Sequence, residues 1–83
     1  MNKVSAEIIS ANCIYIRTGD GVYLQSFGTI IAHITSGGDT ILDTKYWHYS
    51  NGTSKHRNKF LRETSAETAK KLASGVYKLA DLN

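Results

Sequence analysis

The apolar and polar positions change period near the middle of the chain, and that change predicts its architecture. Residues 3–10, KVSAEIIS, set Val4, Ala6 and Ile8 against Ser5 and Glu7, the alternation of a half-buried strand. Ala11-Asn12 reads as a turn, and CIYIR (13–17) then sets Ile14 and Ile16 against Tyr15 and Arg17. Gly19-Asp20-Gly21 carries an Asp-Gly pair between strand-like runs, a hairpin signal. VYLQSF and TIIAHI follow, parted by Gly28; a tight SGGD turn at 36–39 leads to TILDTKYW, a last long strand. Beyond it the period becomes helical. Thr53 or Ser54 is placed to cap a helix running to about Arg62. Thr64-Ser65-Ala66-Glu67 fits a capping box that opens a second helix, from about Ser65 to Ser74. Ala66, Ala69, Leu72 and Ala73 give that helix an apolar stripe, Glu67 and Lys71 stand at i, i+4, and Gly75 suits a left-handed C-terminal cap. VYKLADL reads as a final short strand or a packed tail. Strands followed by helices predict an α+β domain: a small antiparallel meander of four or five strands with two short helices packed on it.

Composition narrows the class. Eighty-three residues make one domain, with 41% apolar and 20% charged positions, as in a globular protein. No apolar run approaches the ~20 residues that span a bilayer, and MNKVSAEIIS lacks the apolar core of a signal peptide. The single cysteine, Cys13, forbids an internal disulfide and fits a reducing compartment, so the cytoplasm is the expected location. The net charge of +3 favours anionic partners only where the cations cluster.

They cluster in one place. YWHYSNGTSKHRNKFLRE, residues 46–63, leads with Tyr46, Trp47 and Tyr49 and continues with Lys55, His56, Arg57, Lys59 and Arg62. On a helix, Lys55, Lys59 and Arg62 share one face, with no acid before Glu63. Four cations, Arg57 included, with aromatics able to stack on bases, form the kind of surface a phosphate backbone needs. The plainer alternative packs Trp47, Phe60 and Leu61 inward and leaves the cations as a solvated face. In the turn itself, Ser50 can act as a cap, Asn51-Gly52 can take left-handed backbone angles, and Thr53 can start the helix.

Catalytic and metal chemistry find little support. His33, His48 and His56 match no zinc spacing and Cys13 is remote in sequence, so neither a metal nor a cofactor is expected. His33 is expected on the outer face or edge of the sheet, His48 in the turn, and His56 as an orienting ring donating to a backbone carbonyl or a hydroxyl. No serine sits in a nucleophile elbow, and Asp39 belongs to a turn although Asp43 lies near it. The glycine pairs do not lead into helices, as a phosphate-cradling loop requires. Cys13 reads as a buried, inert thiol. The chain is therefore expected not to be an enzyme.

Two segments carry a resemblance. LQSFGTIIAHI (24–34) is similar to a Leu-x-Ser-aromatic-x-Thr strand of short uncharacterised phage and prophage accessory proteins. WHYSNGTSKHRNKFL (47–61) resembles the partner motif of those proteins, an aromatic, Tyr-Ser, a threonine pair, Lys-His and Phe-Leu. The sequence departs from the pattern at Gly52, where a first threonine is usual, and at Ile30, where proline is usual. The resemblance implies a small accessory protein in the cytoplasm of an infected or lysogenic bacterium. Such proteins often bind and block host machinery, including CRISPR and other defence complexes. The leading expectation is a non-catalytic binder of a host protein or nucleoprotein complex, acting through Tyr46, Trp47, Tyr49, Lys55, Arg57, Lys59 and Arg62. Its rival is direct DNA or RNA binding by the basic helix 53–62. A symmetric dimer through a sheet edge stays open, and no membrane partner is expected.

Overall fold

A computed structural model describes residues 4–83. Six strands form one sheet in sequence order: β1 (Ser5–Ser10), β2 (Cys13–Thr18), β3 (Gly21–Ser26), β4 (Thr29–Thr35), β5 (Thr40–Asp43) and β6 (Lys78–Ala80). Helices α1 (Asn51–Leu61) and α2 (Ser65–Ala73) lie between β5 and β6. The fold is the expected α+β meander with two helices against the sheet. One strand is added: VYKLADL supplies β6, which pairs parallel with β5, while the first five strands are antiparallel. Lys3, included in the predicted first strand, lies outside the described residues.

The hairpin turns explain the tight meander. Thr18 pairs with Gly21, so Gly19-Asp20 is the two-residue loop. Gly21 has φ +127, and a Cβ there would meet the Ile34 carbonyl oxygen at 2.1 Å, so no larger residue fits. Phe27-Gly28 closes the next hairpin with both φ positive, at 50 and 79, the primed turn whose twist matches the flanking strands. Phe27 is thus a turn residue rather than the end of a strand. Opposite Leu24 and Gln25, β4 inserts Ile31 as a bulge between Ala32 and Ile30.

The predicted last long strand stops early because Asp43 turns the chain. Its buried carboxylate accepts from the backbone N–H groups of Lys45 (3.0 Å) and Tyr46 (2.9 Å) on one oxygen, and of Leu82 (2.8 Å) on the other. Burial pushes this carboxyl up, but those three donors and the Asn83 amide outweigh it and hold it below the ordinary aspartate value. The same carboxylate thereby fastens the C-terminal tail to β5.

Helix α1 starts earlier than predicted. Ser50, not Thr53 or Ser54, is its N-cap and accepts from the Thr53 N–H at 3.1 Å. Asn51 and Gly52 are accordingly helical, not left-handed. Arg62 ends the helix in the left-handed region, φ 57, donating its N–H to Asn58. The capping box of α2 is present as predicted, Thr64 with Glu67, and Gly75 follows with φ +83. The expected apolar stripe of α2 is not its buried face: Ala66, Ala69 and Ala73 are exposed, while Thr68 is buried and Leu72 half-buried. Nor does Glu67 meet Lys71. Glu67 is occupied by the cap, and Lys71 donates to Glu63 at 2.7 Å.

The core lies between the helices and one face of the sheet: Cys13, Leu24, Ile31, Ala32 and Leu42, with Tyr46, Trp47, Phe60, Leu61, Leu72 and Tyr77 packed around it. Register follows from strand pairing. Cross-strand partners Tyr15, Leu24, Ala32 and Leu42 share the helix-covered face. Ala6, Ile16, Tyr23, His33 and Ile41 share the opposite face, which no element among the described residues covers. This reverses the expectation for the first two strands. Val4 and Ile8 are exposed, at 73% and 75%, and the residue of β1 that reaches the core is Ile9, at a register shift.

Candidate functional site

The predicted surface on residues 46–62 is divided by the fold. Helix α1 is about 16 Å long, so its aromatic and basic ends are separate places. At the first end, Tyr46 is half-buried and Tyr49 is 71% exposed, their rings edge-to-face at 5.4 Å. Trp47 is half-buried against the core, tilted on His48 at 4.1 Å. Of the predicted aromatic trio, Tyr49 alone stands free. Phe27, which the sequence did not single out, joins it at a shallow groove of about 310 Å³ walled by Ser26, Ile31, Tyr46 and Thr53.

Beneath that groove lies a hydroxyl–imidazole staple. Ser26 Oγ and His56 Nδ1 share a hydrogen bond of 2.7 Å, so the ring's partner is a hydroxyl, one of the two expected. Ser50 donates to Thr53 Oγ1 at 3.1 Å, and Ser26 lies 3.5 Å from the same hydroxyl. Burial first, and the charge of Lys59 second, hold the imidazole below its ordinary value, so it is neutral at pH 7. A serine on a neutral imidazole is half of a nucleophilic pair, but Ser26 is buried and, among the described residues, no carboxylate bonds the ring. The arrangement fastens α1 to β3. It also accounts for Gly52: a Cβ there would meet the Phe27 ring at 2.9 Å, and that ring stacks on His56.

Arg57 does not belong to the predicted basic face. It is fully buried, its guanidinium donating to the Trp47 carbonyl, to Asn58 Oδ1 (3.0 Å) and to Ser65 Oγ (2.8 Å), with the Trp47 ring 5.2 Å away. It locks the helix junction and cannot reach a phosphate. Burial lowers its pKa while Glu63 opposes the shift. Glu63 itself accepts from Lys71 (2.7 Å), Thr68 (2.6 Å) and Tyr77 (2.7 Å). Burial pushes its carboxyl up, yet these donors hold it below the ordinary glutamate value.

The remaining cations assemble at the other end. Lys55, Lys59 and Arg62 are exposed. Lys59 and Arg62 line a groove of about 520 Å³ together with Arg17, Tyr15, Phe60, Val22 and Ile34. Arg17, whose local pattern carries no sign of the helix, arrives from the end of β2 and holds Glu7 at 3.2 Å. The groove floor is the Tyr15–Phe60 pair, edge-to-face at 4.9 Å. Burial raises the Tyr15 hydroxyl, Cys13 and Glu7 reinforce the rise, and Arg17 and Arg62 oppose it. Cys13, buried as expected, has its thiol pushed up by burial and pulled down by Lys59. Chemically the groove offers three cations over an aromatic floor, suited to carboxylates or phosphates.

A family model, described as a family of unknown function (DUF8033), matches residues 1–75. The chain belongs to DUF8033. The DUF8033 match spans the first five strands and both helices, hence the basic groove, and stops short of β6. No curated protein and no solved structure matches the chain. Among the described residues no three His, Cys, Asp or Glu side chains gather as a metal site, and no helix is long and apolar enough to cross a membrane.

Proposed function

We propose that this chain is a non-catalytic binding protein that modulates or inhibits a host protein or nucleoprotein complex through the basic end of α1. The observation that carries the reading is the groove: Arg17, Lys59 and Arg62 converge on a half-buried aromatic floor, with Lys55 one helical turn away and Glu7 the paired acid. Isolated solvated cations need no such floor; an acidic protein surface docking there gains ion pairs and apolar contact together. The binding surface is thus Lys55, Lys59 and Arg62 with Arg17, Tyr15 and Phe60; Tyr46 and Tyr49 form a second contact at the far end. A phage or prophage origin, action in the bacterial cytoplasm and an anti-defence role rest on the resemblance of 24–34 and 47–61 alone.

Affinity capture from bacterial lysate, with and without nuclease, tests the reading. The informative variant combines Lys55→Glu, Lys59→Glu and Arg62→Gly; glycine removes the charge while relaxing the left-handed backbone. A host protein retained after nuclease and lost with the variant is expected. The same protein retained by the variant would place the surface elsewhere. Nucleic acid alone, lost on nuclease treatment, would make the basic end of α1 a phosphate reader, and three phosphate contacts would give a log–log salt slope of about −2.7 on duplex DNA.

A further inference from the structure

We propose that a second copy of this chain covers the open face of the sheet, packing sheet on sheet and leaving the helices outside. The face is built for burial, not for water. An antiparallel sheet with one solvated face alternates apolar-in with polar-out. Here the outward parity reads Ala6 and Ile8 on β1, Ile14 and Ile16 on β2, Tyr23 on β3 and Ile41 on β5. The polar members are Thr18, Gln25, His33 and Thr35, with Lys78 on β6 and the buried Asp43 at the end of β5. His33 is buried, lying flat under Tyr23 at 3.9 Å with its Nε2 bonded to the Asp20 carbonyl at 3.0 Å, so its polarity is already satisfied within the chain.

Two properties point to a second copy as the occupant. The first is charge. The accessible outward residues of β1–β5 include no acid and no permanently charged base; Asp43, of the same parity as Ile41, is buried with its carboxylate bonded to backbone N–H groups, and Lys78 stands on the edge strand β6. Two such faces meet without opposing like charges across their centre, whereas an acidic or basic partner would find nothing there to pair with. The second is area. Strand spacing and rise give this sheet a projected face of about 500 Å², so two faces bring together about 1,000 Å², the size at which a specific interface begins. Aligned sheet packing accommodates such faces about 10 Å apart. The expected dimer is therefore modest in affinity, with a Kd of order micromolar. It presents two basic grooves on opposite outer surfaces, so a partner would be engaged twice.

Sedimentation equilibrium over a range of protein concentration tests this. The mass is expected to rise from 9.2 kDa toward twice that value. Ile16→Lys and Tyr23→Lys, on central strands but outside the helix-covered core, are expected to hold the chain at monomer mass with unchanged far-UV circular dichroism. Ile14→Thr combined with Ile16→Thr, which keeps strand-favouring residues, serves if the lysine variants do not fold. Lys55→Ala with Lys59→Ala should leave the mass unchanged. A monomer at all concentrations overturns the proposal. So does a dimer that survives the open-face changes, including one abolished instead by Glu7→Pro, on the edge strand β1 but on the helix side of the sheet, which would indicate pairing at the sheet edge.

Discussion

The two faces of the sheet differ less in how apolar they are than in how their polar groups are settled. On the helix side, Leu24, Ala32 and Leu42 are wholly buried, and polar groups enter in bonded sets: Ser26 with His56, Arg57 with three acceptors, Glu63 with three donors. On the open side, Ile8, Ile14, Ile16 and Ile41 surround a single stacked Tyr23–His33 pair. Partnered polar groups specify one docking of the helices, since any other leaves buried charges unmet. A nearly charge-free apolar face specifies little in water and favours contact with its like.

Substitution separates the two faces. The largest difference is expected between Leu24→Ala and Ile16→Ala, neighbours on adjacent strands but on opposite faces. Urea unfolding of dilute protein should show a loss of about 2–5 kcal/mol for Leu24→Ala and within about 1 kcal/mol for Ile16→Ala. Similar losses at both would mean that the open face is already packed within the monomer. Next comes Glu63→Gln, which leaves Lys71, Thr68 and Tyr77 around a neutral amide and should cost about 2–3 kcal/mol. Ser26→Ala removes the partner of His56 and should cost about 1 kcal/mol, while leaving helix content intact by circular dichroism.

Stability against pH sharpens the same contrast. Asp43, Glu63 and His56 all have native pKa values below their ordinary ones, so at each the unfolded state binds more protons. Their contributions are complete above the unfolded values and are lost as pH falls through the native ones. Denaturation midpoints should begin to decline below about pH 6.5 as the unfolded histidine charges, and fall faster below about pH 4 as the carboxylates follow. Glu63→Gln should flatten the second limb, and an unchanged limb would remove Glu63 from the account. Substitutions confined to the open face should move neither.

Local signals in the sequence foretold much of this. The hairpin turns, the Thr64–Glu67 box, Gly75 and the buried Cys13 are each decided within a few residues, where turn and cap chemistry dominate. Alternation also showed correctly which residues share a face in CIYIR, but not which face the helices would take, because Cys13 and Tyr15 compete with Ile14 and Ile16 as the inner set. Asp43 ended β5 through donors as distant as Leu82, and Arg17 joined the basic groove from another strand; neither pairing has a local signature. Arg57 illustrates the limit most plainly. Its charge marked it for solvent, and only the junction of α1 and α2 supplies the acceptors that bury it.

In the proposed arrangement, one face of this sheet belongs to the helices and the other to a second copy. Its most direct test is an isotope-filtered methyl NOE experiment on a mixture of labelled and unlabelled chains at high concentration. Intermolecular cross-peaks are predicted at the methyls of Ile14, Ile16 and Ile41, and none at the buried Ile31. Cross-peaks confined to the helix side, or none from the open-face isoleucines, would contradict it.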